Sequence, residues 1–178
     1  IMEALEKREL DVGIVSIPLD HPELEELPLY DEPFLLLDKA DNGLEDFFAL
    51  SEIDLDRLWL LEEGHCMRNQ VEKICGLQEK QGTDRNLDYR SGAIDTLLKF
   101  VDRYRGITLL PWLATLDLSE EDRLHLKRFR APVPARSVGL LVHRHFVKRR
   151  LLQVLQQEIQ ESIQPLLPAS DGKIVAPV

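Results

Sequence analysis

Apolar positions along this chain fall into short runs of two periods, and each period predicts an element. Ile1 to Leu10 has the spacing of the end of an amphipathic helix, with Met2, Leu5 and Leu10 on the apolar side. A helix that opens a chain without a cap implies a preceding segment, so the chain is expected to be a fragment. Asp11-Val12-Gly13-Ile14-Val15-Ser16-Ile17 reads as a buried strand, as do Pro33-Phe34-Leu35-Leu36-Leu37 and Trp59-Leu60-Leu61. Asp54 to Leu58 reads as a helical turn. Residues 66 to 75 read as a helix that Gly76 stops, and Tyr89-Arg90 ends a further strand. Ser91 is a good N-cap for a helix that places Ile94, Leu97, Leu98 and Val101 on one face. Gly106-Ile107-Thr108-Leu109-Leu110 is a strand ended by Pro111, followed by a short helix from Trp112. Val138 to Val142 is a strand, followed by a helix from about Lys148 to Ile163 with Leu151, Leu152, Leu155, Ile159 and Ile163 as its apolar face. Pro165 to Val178 carries little periodicity and reads as a frayed tail. Strands alternating with helices predict an α/β protein with a mostly parallel sheet covered on both faces.

Composition narrows the function classes. The 178 residues carry a net charge of −10, with 44% hydrophobic and 30% charged side chains, and could form one domain or two small ones. An acidic chain does not grip nucleic acid by itself, because phosphate binding needs a dense basic surface. No apolar run is long enough for a membrane span and no charged-then-apolar leader is present, so neither a span nor a secretory signal is expected. The charge is uneven: acidic side chains crowd residues 1–63, whereas residues 123–150 are basic with no acid among them. That basic stretch is either a solvated face opposite the acidic half or a self-complementary surface between copies. Two cysteines are no disulfide framework and suit a reducing compartment.

The chemistry concentrates in Glu62-Glu63-Gly64-His65-Cys66-Met67-Arg68-Asn69-Gln70, with Cys75 beyond it. Cys66 stands where a helix begins, so unpaired N–H groups and the positive helix end favour its thiolate. Arg68 adds positive charge within the same turn, and His65 can donate a hydrogen bond. A thiolate that peroxide reaches becomes a sulfenic acid, which a second thiol can condense with. Nine residues of helix give about 13.5 Å of rise and about 900° of rotation. A disulfide needs Cα atoms within about 7 Å, so Cys66 and Cys75 cannot bond while that helix is intact. Joining them would refold the segment and make the pair a switch. Two buried structural cysteines satisfy the same spacing. A zinc site from His65, Cys66 and Cys75 lacks a fourth ligand and convergence. A cysteine hydrolase using Cys66 and His65 lacks a nucleophile elbow.

The segment from Leu61 to Gln70, ending at Cys75, resembles the redox motif of the OxyR-type peroxide sensors, a branch of the LysR-type bacterial transcription regulators. Leu10-Asp11-Val12-Gly13-Ile14, Pro28 to Phe34, Gly106 to Pro111 and Pro134 to Leu140 resemble that family's strands and crossovers in order and spacing. The resemblance spans residues 4 to 163. It implies that Cys66 is the peroxide-reactive thiol and Cys75 its resolving partner, with His65 and Arg68 orienting peroxide. The family usually has Asp where Asn69 stands, so a role needing that carboxylate is not carried over. Arg136 matches an arginine at the second hinge that supports the reduced state.

The fold implied is a periplasmic-binding-protein-like effector domain of two α/β subdomains joined by two crossover strands, with the N-terminal part of the first missing. Residues 1–32 and 134–165 would form the first subdomain, 33–133 the second with its redox segment at 64–80, and 166–178 a tail. The resemblance further implies a cytoplasmic bacterial regulator, not an enzyme, with no cofactor and no metal. It would act as a homodimer or homotetramer, meeting promoter DNA through an absent N-terminal winged helix-turn-helix, and also RNA polymerase. Hydrogen peroxide would be its signal and a cytosolic thiol reductant would reset it. The alternative within the family is a domain that senses a small organic ligand between its subdomains, with structural cysteines.

Overall fold

In a computed structural model, residues 1–40, 47–60, 71, 72, 74, 75, 93–169, 174 and 175 are described. They divide into two compact units: Ile1–Glu32 with Arg136–Ala169, and Pro33–Ala135 with part of the C-terminal stretch. The chain passes between them inside two long strands.

The first unit begins with helix α1 (Met2–Glu6), whose Leu5 is fully buried beside Leu24 and Leu141. The predicted helix stops early because Arg8 adopts a left-handed backbone, φ 57°, which a helix cannot continue through. Strand β1 (Val12–Ile17) follows, then the first half of β2 (Leu24–Asp38). β1 pairs antiparallel with β6 (Val133–His143), from Val12 opposite Val142 to Ile17 opposite Ser137. Gly139 allows this sheet to close: a Cβ there would stand 2.9 Å from both Ile17 and the Leu27 carbonyl oxygen. Helix α4 (Arg149–Ile163) covers Leu29, Val138, Leu140 and Val142 with Leu152. The side-chain amides of Gln156 and Gln160 donate to the carbonyls of Pro28 and Leu29, which fixes the helix rotation.

That rotation corrects the expected apolar face of α4. Leu152 is buried and Ile159 packs partly against the sheet, but Leu151 is 61% and Leu155 37% exposed. Both lie round the helix on the side away from the glutamine ties.

In the second unit β2 runs on as Phe34–Asp38, every residue buried, between two partners. β4 (Ile107–Pro111) pairs antiparallel along it and β5 (Leu126–Phe129) pairs antiparallel through Leu36 and Leu37. β3 (Phe47–Phe48) lies parallel to β5. Helix α2 (Ile94–Arg103) turns Leu97 and Val101 into a core with Phe34, Leu36, Leu58, Ile107 and Leu109. A short helix, α3 (Glu120–Arg123), is capped by the Ser119 hydroxyl, which accepts the Asp122 N–H.

Several expectations change here. The ladders among the described residues are mainly antiparallel. Each strand's partner comes from far along the chain, not across one covering helix, so parallel βαβ logic does not apply. Trp59-Leu60 is not a strand: Leu58 makes one bridge to Ile107, and Trp59 N–H donates to the Ile107 carbonyl at 2.9 Å. The residue capping α2 is Ala93, with no side-chain bond, so Ser91 is not the cap. Within the C-terminal stretch, β7 (Ile174–Val175) pairs parallel with Val133 and Pro134 of β6. The expected helix over 66–75 and the strand at Tyr89-Arg90 fall largely or wholly outside the described residues.

The split of charge along the chain becomes pairing within each unit. Arg144 meets Glu23 at 3.1 Å, Arg149 meets Glu25 at 2.6 Å and Lys148 meets Asp11 at 3.8 Å. In the other unit Arg130 stands 3.9 Å from Glu52. Exposed pairs of this kind stabilise by about 0–1 kcal/mol each and serve mainly to neutralise.

Lys39 is different, because its ammonium is 8% exposed and lies 2.5 Å from Asp122 and 3.7 Å from Asp102. Hydrogen bonds from Lys39 and then Ser119 hold the Asp122 carboxyl below the ordinary carboxylate range. A depressed folded-state value means the contribution is complete above the unfolded value of about 3.9 and fades as pH falls through the folded one. Urea unfolding of Asp122→Asn should therefore show a shallower loss of stability below about pH 4. An acid limb identical to the parent's would refute this role.

Candidate functional site

Of the residues singled out in the sequence, the structure describes Cys75 and Arg136. His65, Cys66, Arg68 and Asn69 lie outside the described residues.

Cys75 ends a short helical stretch in which Val71, Glu72 and Ile74 are helical. Its N–H donates to the Val71 carbonyl at 2.9 Å, the closing bond of an α-helical turn. Val71 is 2% exposed and belongs to the core of the second unit, and Ile74 and Cys75 pack against that core from its edge. The sulfur is a free thiol. Burial pushes its pKa up to about 12. At neutral pH this sulfur is therefore a thiol and a poor nucleophile while it stays where it is.

The chain just before residue 61 is tied down on both sides. Arg57 donates to Asp38 Oδ1 at 2.7 Å and to the Arg105 carbonyl at 3.1 Å. The Thr108 hydroxyl donates to the Trp59 carbonyl at 2.9 Å. The Trp59 ring stacks with Phe100 and Tyr104, and Gly106 lies so close beneath it that a Cβ would collide with the indole.

Arg136 is the first residue of β6 that belongs to the first unit. Its Nε and Nη2 reach Glu32 Oε1 at 2.7 and 2.6 Å, and Glu32 is fully buried. Beside this pair the Ser137 hydroxyl donates to Asp31 at 2.5 Å. Tyr30 has its phenol raised, first by burial and then by the Glu32 charge, against an opposing pull from Arg136. Within the first unit, Glu32 of β2 and Arg136 of β6 are thus held together by an ion pair whose carboxylate is away from water.

Glu32, Asp38, Lys39 and Arg57 are important residues that sequence reasoning passed over. Their signal was present: charges embedded in, or closing, the apolar run from Leu29 to Leu37 must find partners if that run is buried. Among the described residues no three His, Cys, Asp or Glu side chains converge to hold a metal ion, and no helix is long and apolar enough to cross a membrane.

Two α/β units whose chain passes from one to the other within two long strands define an effector-domain architecture. The LysR substrate binding domain profile matches residues 1–164, and the chain belongs to that family. Among solved structures it is similar to OxyR from Porphyromonas gingivalis, with a TM-score of 0.81, 27% identity, and coverage of 98% of this chain and 80% of that one. Among curated proteins it is 33% identical to a probable hydrogen peroxide-inducible genes activator of Mycobacterium leprae, over 79% of this chain and 45% of the relative. It is also 31% identical to the HTH-type transcriptional regulator EstR of Acinetobacter baylyi, over 81% of this chain and 48% of that protein. The chain spans about half the length of these curated relatives. They are transcription regulators and not enzymes.

Proposed function

We propose that this chain is the effector domain of a peroxide-sensing transcription regulator. The observation that carries the reading is the free, core-held thiol of Cys75, placed nine residues after Cys66 in a chain of OxyR-like fold. Peroxide is attacked by the Cys66 thiolate; the O–O bond breaks, Cys66 gains the OH and hydroxide leaves to be protonated. His65 and Arg68 orient the peroxide and balance the charge that develops on the leaving oxygen, and Asn69 keeps a hydrogen-bonding shape there. Cys75 then attacks the sulfenic sulfur, water leaves, and a disulfide forms. In this reading the 64–80 segment remodels, because the helix expected from the sequence over 66–75 would hold the two sulfurs too far apart to bond. Arg136 supports the reduced state through Glu32.

In the whole regulator this change passes through a homodimer or homotetramer to a winged helix-turn-helix on promoter DNA and to RNA polymerase. A cytosolic thiol reductant, taking up the two oxidising equivalents, returns both cysteines to thiols. In a second reading the domain senses a small organic ligand and the cysteines are structural; one relative of comparable identity, EstR, is a transcriptional regulator not named for peroxide.

Thiol titration separates the two. Stoichiometric hydrogen peroxide should remove both thiols per chain, and Cys66→Ser should abolish the loss. Cys75→Ser should instead stop at a sulfenic acid on Cys66. Two thiols that survive peroxide in the parent chain would exclude the sensor reading.

A further inference from the structure

We propose that Val71 is the latch that holds Cys75 in the core of the second unit, and so sets how fast a sulfenic acid on Cys66 is resolved to the disulfide. The inference rests on the peroxide-sensor reading above and concerns the second chemical step alone.

Val71 holds Cys75 in two ways. Its side chain is 2% exposed and belongs to the buried core that also holds Leu58, Leu60, Leu97 and Leu109, whereas Ile74 and Cys75 are partly buried and pack against that core. Its carbonyl, one turn earlier, accepts the Cys75 N–H at 2.9 Å. The sulfur cannot leave the core while that turn is closed, and the turn cannot open cheaply while the valine stays buried. Burial also keeps the Cys75 thiol protonated, so attack on the sulfenic sulfur waits for release into water. Formation of the disulfide joins the two sulfurs, expels the sulfenic oxygen as water with the Cys75 proton, and needs no reactant beyond the peroxide already consumed. Val71 touches neither peroxide nor the reacting sulfur of Cys66 in this scheme; it is a positioning residue whose burial governs a local opening.

The test separates opening from chemistry. In a Cys66→Ser background, the labelling rate of Cys75 by an alkylating maleimide reads the opening directly and involves no peroxide. Trimming Val71 to alanine should raise that rate by about 5–20-fold, the factor expected for removing two buried methyl groups. Val101→Ala trims the same core from α2 but opens no turn that bonds to Cys75, and should leave the rate within about twofold. With both cysteines present, Val71→Ala should speed disulfide formation by a similar factor. The rate of Cys66 sulfenic acid formation, trapped by dimedone in a Cys75→Ser background, should stay within about twofold. Val71→Thr, which keeps the shape and weakens the burial, should move both rates in the same direction if the alanine variant does not fold. Unchanged labelling of Cys75 would overturn the proposal. So would equal acceleration of sulfenic acid formation and resolution, which would mark Val71 as merely structural. A Cys66 that forms no sulfenic acid in any variant would instead overturn the sensor reading, and the labelling comparison would still decide whether Val71 is a latch.

Discussion

Replacing Arg136 with methionine should destabilise the domain by about 3–5 kcal/mol, the range for removing one partner of a buried ion pair. Glu32 is fully buried, and the guanidinium brings two nitrogens onto one of its oxygens within 2.7 Å. Methionine fills much of the same space but leaves the carboxylate without that cation. The cost comes from stranding a charge and not from losing an attraction, so it should largely vanish when the charge goes too. Glu32→Gln combined with Arg136→Met should recover most of the loss. Urea unfolding of the two single variants and the double gives the coupling directly. A single variant that loses under about 1 kcal/mol would mean that water reaches Glu32 and that the crossing is not clamped by charge.

Replacing Arg57 with alanine should cost about 3 kcal/mol for a related but more local reason. Asp38 is 1% exposed, its Oδ1 takes both the Arg57 guanidinium and the Ala40 N–H, and its Oδ2 has no hydrogen-bond partner among the described residues. One oxygen is already unsatisfied, so the site has little left to compensate with. Arg57 also ties the chain just before residue 61 to the Arg105 carbonyl. Its loss should therefore raise hydrogen exchange at the Trp59 amide, which is bonded to Ile107, more than at amides of β1. Asp38→Asn added to Arg57→Ala should restore part of the stability. Uniform exchange throughout both units would show that the clamp has no local role.

The sequence made some elements plain and hid others for identifiable reasons. β1, the buried half of β2 and β4 were legible because short, mainly apolar runs rich in Val, Ile and Leu, in β4 stopped by Pro111, have few alternatives. The faces of α2 were legible because Leu97 and Val101 alternate with charged residues at helical spacing. The direction of strand pairing was not, since period-two patterns are the same for parallel and antiparallel neighbours. The rotation of α4 was not either: it is set by two glutamine amides reaching backbone carbonyls more than a hundred residues away. At the candidate site, motif and spacing pointed to Cys66 and Cys75, but nothing local marked Val71 as the anchor or joined Glu32 to Arg136. Those are long-range facts, and only the closed fold expresses them.

The aromatic stack over Gly106 has a practical corollary. Trp59 is one of two tryptophans, and its indole rests against Phe100 and Tyr104 while its backbone is bonded to Ile107 and Thr108. Its emission therefore reports whether the end of α2 and the start of β4 remain together. With Trp112→Phe it would be the sole indole fluorophore, and the second unit could be followed in real time through its own light, with no dye attached.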